Sequence, residues 1–596
     1  MDRFEARTVY TYCPLWISAG SFSNEPISID MLLLRSANTG SHFKNGGLSE
    51  AARFAWAPSK MSKSLQDEAL LRILSYLPSH TDAAALSLQC HRWHRLSDMS
   101  NRRKYRRVKL REPLDFAVAF SMLLSILKTP RYGDYVRHIE LNRSPSPDHY
   151  HEFEQPYTDK PLQRSLRPKD QVRLTAAIRR AGFEGPEEQD KVLKTLLQIP
   201  ACTDHHDPRA PFHAQALAAL LVSVSPLLES LSFSPVGQEP TKLSKRKAQT
   251  NGRLLEEENS FFKHFLDRAS SSPQETLPFL HHLRQVRFLV DPDTTFHHWR
   301  YYQPYDLYGS LNLVRRLPAV KSIRVDAIMS TEAPSIEPPP RSANYTSITI
   351  RNSSIDYHDL VRVIESAKRL EEFTYAIGGR GSTDGGFSDF SLDHILRALI
   401  LHADSLVHLD LDVEAETPLA HIFDPTLRQL VFGNGDDRPS RSQPAYLEEW
   451  ADELPELQLE QGVQASPCSL RGLTKVKNLS LGIHTLYHMS RGIGTDRVDD
   501  ASFAIVDHLP SNLEALCIYG YETGMKPRVE GLPDDVFDRQ LKKLLAQKDT
   551  RLPRLKYIEG IDEVIANAIT VPQPAINVED LWERETDDEW TDHEYD

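Results

Sequence analysis

The stretch LVHLDLDV, residues 406–413, alternates aliphatic and polar side chains from His408 onward. Successive side chains of a β-strand point to opposite faces, so Leu409 and Leu411, with Leu406 ahead of them, are expected to face a core. His408, Asp410 and Asp412 then face outward. The same Leu-x-x-Leu-x-Leu spacing recurs in YVRHIEL (135–141), LLESLSF (227–233), LRQVRFLV (283–290), VKSIRVDAI (320–328), YTSITI (345–350) and LEEFTYAI (370–377). It continues in LRQLVF (427–432), VKNLSLGI (476–483), LEALCIYG (513–520) and LKYIEGI (555–561). The intervals are irregular, roughly 20 to 50 residues, within the range of structural repeats. By the same parity Tyr519 and Tyr557 join the outward set, as do His138, Glu140, Ser480, Cys517 and Glu559.

Helical segments separate these strands. AQALAALLVSVSP, YHDLVRVIESAKR and SLDHILRALILHA each carry an apolar stripe that one strand alone cannot cover, whereas stacked neighbours can. Pro and charge clusters mark long insertions at 142–175, 234–256, 329–343 and 433–466, which read as loops.

Ahead of the first repeat, Leu70, Ile73, Leu74 and Leu77 in LQDEALLRILSYLP recur at three- and four-residue steps, which makes one helical face that Pro78 ends. Asp82 is a candidate N-cap for a second helix, AAALSLQCHRWHRLS, in which Leu86, Cys90 or Gln89, Trp93, and Leu96 or Ser97 follow the same spacing. A basic run, RRKYRRVKLR (102–111), follows.

Residues 65–110 resemble an F-box. The Leu-x-x-Glu opening, the Ile-Leu-x-x-Leu-Pro helix end, the Ser-Leu-x-Cys-x-x-Trp core of the second helix and the basic tail stand in the family's order and spacing. Gln66 replaces the family's usual Pro and Ala83 its usual Leu, departures that bear on affinity for the adaptor. The strand pattern resembles degenerate leucine-rich repeats, and LPSNLEALCIYGY and LLAQKDTRLPRLKYIEG are similar to repeats of filamentous-fungal F-box proteins.

The expected fold class is α/β, a small all-α F-box followed by an irregular leucine-rich-repeat-like α/β solenoid. The expected organisation is an extension at 1–60, the F-box at 61–111, the solenoid at 112–570 and an acidic tail at 571–596. The resemblance implies a substrate receptor of an SCF-type cullin-RING ubiquitin ligase that binds a Skp-type adaptor. The implied adaptor-binding residues are Leu65, Glu68, Ile73, Leu77, Pro78, Leu86, Leu88, Cys90 and Trp93, with Trp93 as the aromatic anchor. Target-facing candidates are His408, Asp410, Asp412, Tyr519 and Tyr557, and the target is an unnamed protein. A scaffold that does not direct ubiquitination is the alternative.

Of the 596 residues, 40% are hydrophobic and 26% charged, as in a globular chain with a sizeable core. The formal net charge of -13 argues against a nucleic-acid binder, although RRKYRRVKLR and KLSKRK (242–247) are locally basic. Five scattered cysteines do not form a disulfide framework and fit a reducing, intracellular setting, cytoplasmic or nuclear. The longest apolar run, FAVAFSMLLSIL (116–127), falls short of the roughly 18 to 20 residues that span a bilayer and reads as a buried helix.

Sites for chemistry are weak. Cys90 and His94 are a helical turn apart but have no second ligand pair for zinc. CTDHHDP (202–208) reads as a loop. GGRGSTDGG (378–386) lacks the Gly-Lys-Ser/Thr ending of a phosphate loop. Cys517 has no activating His pattern. No cofactor, no metal and no catalytic residue are expected.

Overall fold

The computed structural model describes residues 67–75, 80–111, 113–142, 162–199, 210–236, 260–271, 279–290, 301–331, 335–378, 390–413, 469–492, 503–527 and 532–565. The chain divides into two units, Met1–Tyr76 and Leu77–Asp596. Helix α1 (Asp67–Ser75) belongs to the first. The second begins with three short helices, α2 (His80–Ser87), α3 (His91–Ser97) and α4 (Met99–Arg106).

After α4 the chain builds a sheet of eleven parallel strands. They are β1 (Arg107–Leu110), β2 (His138–Leu141), β3 (Ser230–Phe233), β4 (Gln285–Phe288), β5 (Ser322–Asp326), β6 (Ser347–Arg351), β7 (Glu372–Ala376), β8 (His408–Asp412), β9 (Asn478–Gly482), β10 (Ala515–Tyr519) and β11 (Tyr557–Glu559). Their order across the sheet is their order along the chain. Crossovers between parallel strands are right-handed almost without exception, and a strand order that never reverses keeps the crossover helices on a single face.

Burial follows from that geometry. One ladder runs through all eleven strands in register: Val108, Ile139, Leu231, Val286, Ile323, Ile348, Phe373, Leu409, Leu479, Leu516 and Ile558. A second, two residues further on, passes from Leu110 through Leu141, Phe233, Phe288, Val325, Ile350, Tyr375, Leu411 and Leu481 to Ile518. A third lies three residues ahead of the first, at Tyr105, Val136, Leu228, Leu283, Val320, Tyr345, Leu370, Leu406, Val476, Leu513 and Leu555, all buried. The spacing read from LVHLDLDV is therefore the rule from β1 to β10. The strand entries are also uniform: the amide of Glu371 donates to Thr346 O, Val407 to Glu371 O, Lys477 to Val407 O, Glu514 to Lys477 O and Lys556 to Glu514 O.

Helices Pro113–Lys128, Ala210–Ser223, Phe261–Ser271, Leu307–Val314, Tyr357–Ser366, Leu392–Ile400, Ile483–Arg491 and Val536–Arg551 connect the strands and complete one apolar core. The expected buried helix at 116–127 is among them, with Phe116, Phe120, Leu123 and Ile126 almost inaccessible. Gly133, in the turn before β2, is fixed by close approach: a Cβ there would stand 2.1 Å from the carbonyl oxygen of Val224.

Three sequence expectations change. The basic run at 102–111, given no strand in the sequence reading, supplies the first one, Arg107–Leu110, which alternates inward and outward. The insertion at 142–175 contains the start of a helix, Pro168–Arg180, whose Leu174, Ala177 and Ile178 are buried. The single second helix expected from Ala83 to Ser97 is two helices, described below. The expected strand 427–432, the extension 1–60, the tail from 571, CTDHHDP and KLSKRK lie outside the described residues.

One-sided burial makes a direct prediction. Ile348→Ala on β6 removes a core side chain that is 1% exposed and is expected to cost about 2–5 kcal/mol, whereas Thr349→Ala on the opposite face should stay within about 0.5 kcal/mol. Thermal unfolding followed by circular dichroism checks this, and equal shifts for the two variants would contradict it.

Candidate functional site: a helical docking segment and the open face of the sheet

In α1, Leu70 and Leu74 are buried at 1% and 2% exposure while Ile73 is 42% exposed. In the second unit α2 packs on α3. Between them Leu88 and Gln89 form a turn, and Cys90 is fully extended at φ -165°, ψ 162°. Its carbonyl accepts from the amide of His94 and starts α3. The phase of the apolar residues is reset at this break. Leu86, Cys90 and Trp93 are half-buried, Leu96 is buried, and Leu88 is thrown outward at 83% exposure. Cys90 and His94 therefore do not share a continuous helical face. Leu65, Leu77 and Pro78, and the side chain of Glu68, lie outside the described residues.

Helix α3 stops at Asp98, which adopts the left-handed conformation (φ 54°) that Asp tolerates better than most residues. The carbonyls freed at this end are taken by two arginines. Arg131 Nη2 donates to Leu96 O at 2.6 Å and Arg102 Nε to Ser97 O at 2.7 Å. Positive charge at a helix C-terminus complements the helix dipole. Both guanidiniums also lie over the ring of Tyr135, at 5.6 Å and 4.7 Å from its centroid. The Tyr135 hydroxyl faces Asp98 Oδ2 at 3.4 Å. Burial pushes the Tyr135 phenol up to about 12 against the pull of the two arginines. This clasp joins α3 to the turn that leads into β2.

The other candidate surface is the sheet face without crossover helices. Its central row runs in register through Lys109, Glu140, Ser232, Arg287, Arg324, Thr349, Thr374, Asp410, Ser480, Cys517 and Glu559. Of the target-facing candidates, His408, Asp410 and Tyr519 are half-buried on this face and Tyr557 is 58% exposed. Tyr519 Oη donates to Asp410 Oδ1 at 3.0 Å across the intervening β9. Gly482, opposite Tyr519 in register, has no side chain to obstruct that reach.

Asp412 is buried at 7% exposure, which removes it from the accessible set. His138 and Glu140 are buried too, Glu140 ion-paired with Arg111, so outward parity does not mean exposure on the first strands. Arg287, paired with Asp326, and Arg324 belong to the same row and were not singled out in the sequence, because their neighbourhood comes from strands that pair only in the fold. Burial raises the Asp410 carboxyl above the ordinary range, with His408, Arg351 and the Tyr519 hydrogen bond opposing it. Burial, then Asp410, raises the Tyr519 phenol well above its usual value, so it remains a hydrogen-bond donor.

Among the described residues no group of three or more His, Cys, Asp or Glu is arranged to hold a metal ion. No helix among them is long and apolar enough to cross a membrane. Among the described residues neither Cys90 nor Cys517 is in a disulfide.

These features are a short run of helices followed by a parallel sheet, one face of which carries a polar row that is buried at Glu140, Ser232, Arg287 and Thr374 and more accessible elsewhere. Residues 67–108 match the family model described as F-box-like. The chain thus carries an F-box-like domain, a kind of domain that typically binds Skp-type adaptors of cullin-RING ligases, and F-box proteins are in general non-catalytic. No curated protein matches the chain.

The Asp410 shift sets the sign of a stability change. A carboxyl raised in the folded state binds its proton more tightly there than in the unfolded chain, so its contribution is greatest below the unfolded pKa and is lost as pH rises through the folded one. Asp410→Asn, which keeps an acceptor for Tyr519, is expected to raise the unfolding midpoint at neutral pH and to change it little below about pH 4. Thermal unfolding of both proteins across pH measures this; a lower midpoint for the variant at neutral pH would contradict it.

Proposed function

We propose that the protein is the substrate-recognition subunit of an SCF-type cullin-RING ubiquitin ligase. The F-box-like match carries this reading. The proposed adaptor-binding set is Leu65, Glu68, Ile73, Leu77, Pro78, Leu86, Leu88, Cys90 and Trp93. Exposure of Ile73 at 42% and of Leu88 at 83% supports it, since apolar side chains so placed gain most from a partner. Trp93, which is half-buried, is the proposed aromatic anchor.

The sheet is the target-binding part, an irregular leucine-rich-repeat-like solenoid of the kind found in filamentous-fungal F-box proteins. Eleven strands in chain order with a repeated buried pattern support this assignment. The proposed organisation keeps the F-box within 61–111 and the solenoid to about residue 570, with β1 shared at the boundary. His408, Asp410, Tyr519 and Tyr557 are proposed to face the target. The protein acts inside the cell, without catalytic groups of its own, by raising the effective concentration of target near the ubiquitin machinery.

Affinity purification of the tagged chain from cells tests the reading, with the adaptor and the cullin expected together. Loss of a binding hot spot costs about 2 kcal/mol or more, so Leu88→Asp and Trp93→Ala, singly and together, should each lower adaptor recovery by about tenfold or more. Leu88 is exposed, so its variant leaves folding intact. Unchanged recovery would contradict the F-box assignment. Adaptor without cullin would indicate a scaffold that does not direct ubiquitination.

A further inference from the structure

The loop that leads into β6 carries SIEPPPR, residues 335–341. Proline fixes its own φ at about -65° and keeps the residue before it out of the α region, so Glu337, Pro338 and Pro339, each followed by proline, are held extended. Such a run is a left-handed polyproline II rod with about three residues per turn. Exposure along the segment has that period. Ser335 is half-buried and Pro338 buried, whereas Ile336, Glu337, Pro339 and Pro340 are exposed, Ile336 at 86%. One edge of the rod therefore rests on the protein, and the other two, Ile336 with Pro339 and Glu337 with Pro340, face outward.

Both ends of the rod are tied to crossover helices. Ser335 donates from its amide to Asp306 Oδ1 at 3.1 Å and from its hydroxyl to Asp306 Oδ2, at the start of Leu307–Val314. Asn312 Nδ2 of that helix donates to Ile336 O at 2.7 Å. At the far end the amides of Arg341 and Ser342 donate to Glu365 O and Ser366 O, at 2.8 Å and 2.9 Å, on Tyr357–Ser366. Glu337, the acid of the run, is paired with Arg362 at 3.0 Å, and Arg341 is exposed. The strap is thus a fixed apolar rod that ends in a positive charge.

We propose that this strap docks in the groove of an SH3-type protein module, whose aromatic walls take the two outward edges and whose carboxylate pocket takes Arg341. Grooves of this kind recognise polyproline II because the rod is already formed and loses little entropy on binding. Anchoring at both ends lowers that cost further. Ile336 and Pro339 keep the Pro-x-x-Pro spacing, about 9 Å along the rod, with isoleucine in the first place. Arginine holds a carboxylate in bidentate geometry, which fixes the direction in which the rod lies. The strap rests on the crossover helices, away from the polar row of the sheet, so a module bound here leaves that row accessible. The inference does not depend on the receptor reading.

Calorimetric titration of the full-length protein with a panel of purified SH3 domains tests the proposal, with purified WW domains run alongside. Saturable binding is expected for SH3 domains whose groove ends in an acidic pocket. Pro339→Ala and Arg341→Glu are each expected to weaken it by about tenfold or more. Both side chains are exposed, so the unfolding midpoint by circular dichroism should match the wild type. Adaptor capture by both variants should also be unchanged, because the strap lies outside the F-box-like residues 67–108.

Failure of every SH3 domain to bind, or unchanged affinity in both folded variants, would overturn the proposal. A loss with Pro339→Ala but none with Arg341→Glu would overturn the carboxylate pocket. Tighter binding by the WW domains would overturn the assignment to an SH3-type groove.

Discussion

Every strand of this protein turns one face to the same apolar core, and the rest of the structure depends on that constraint. Two buried positions on each strand from β1 to β10, with a third just ahead, form three continuous apolar ladders over which the crossover helices pack. Parallel sheets are normally covered on both sides because crossovers place helices there. Here the strand order never reverses, so the second face has no crossover helices and carries polar side chains instead. The same arrangement that stabilises the core thus creates a long polar surface, which the proposed function assigns to the target.

The second structural element is the clasp around Tyr135. Arg102 and Arg131 close the end of α3 and stack on one ring, which belongs to the turn entering β2. Helix α3, tied in this way to the turn entering β2, holds its direction relative to the first strands. For the proposed receptor such a joint is an advantage, since a flexible tether lowers effective concentration.

Much of the sheet was legible in the sequence because its signal is local. Period-two alternation in LVHLDLDV, VKNLSLGI and LEALCIYG places each strand without reference to its neighbours. β1 was hidden by composition, since Arg107 and Lys109 dominate the run while Val108 and Leu110 do the packing. Pro168–Arg180 was missed because the prolines and charges around it suggested a loop, although Leu174 and Ile178 hold helical spacing. The break at Cys90 left no mark, because the apolar spacing continues across it and only backbone geometry resets the phase. The burial of Glu140 and Asp412, and the approach of Arg287 to Arg324, depend on strands far apart in sequence. Side-chain parity gives the face; it does not give what covers that face or which charges meet on it.

In the proposed function the helical segment meets the adaptor and the sheet meets the target. Hydrogen–deuterium exchange of the full-length protein, with and without purified Skp-type adaptor, tests that division most directly. Added protection is expected in α1 to α3, strongest across the turn at Leu88–Cys90, with unchanged exchange in β4 to β10. Adaptor-induced protection in those strands, or none in the helices, would contradict it.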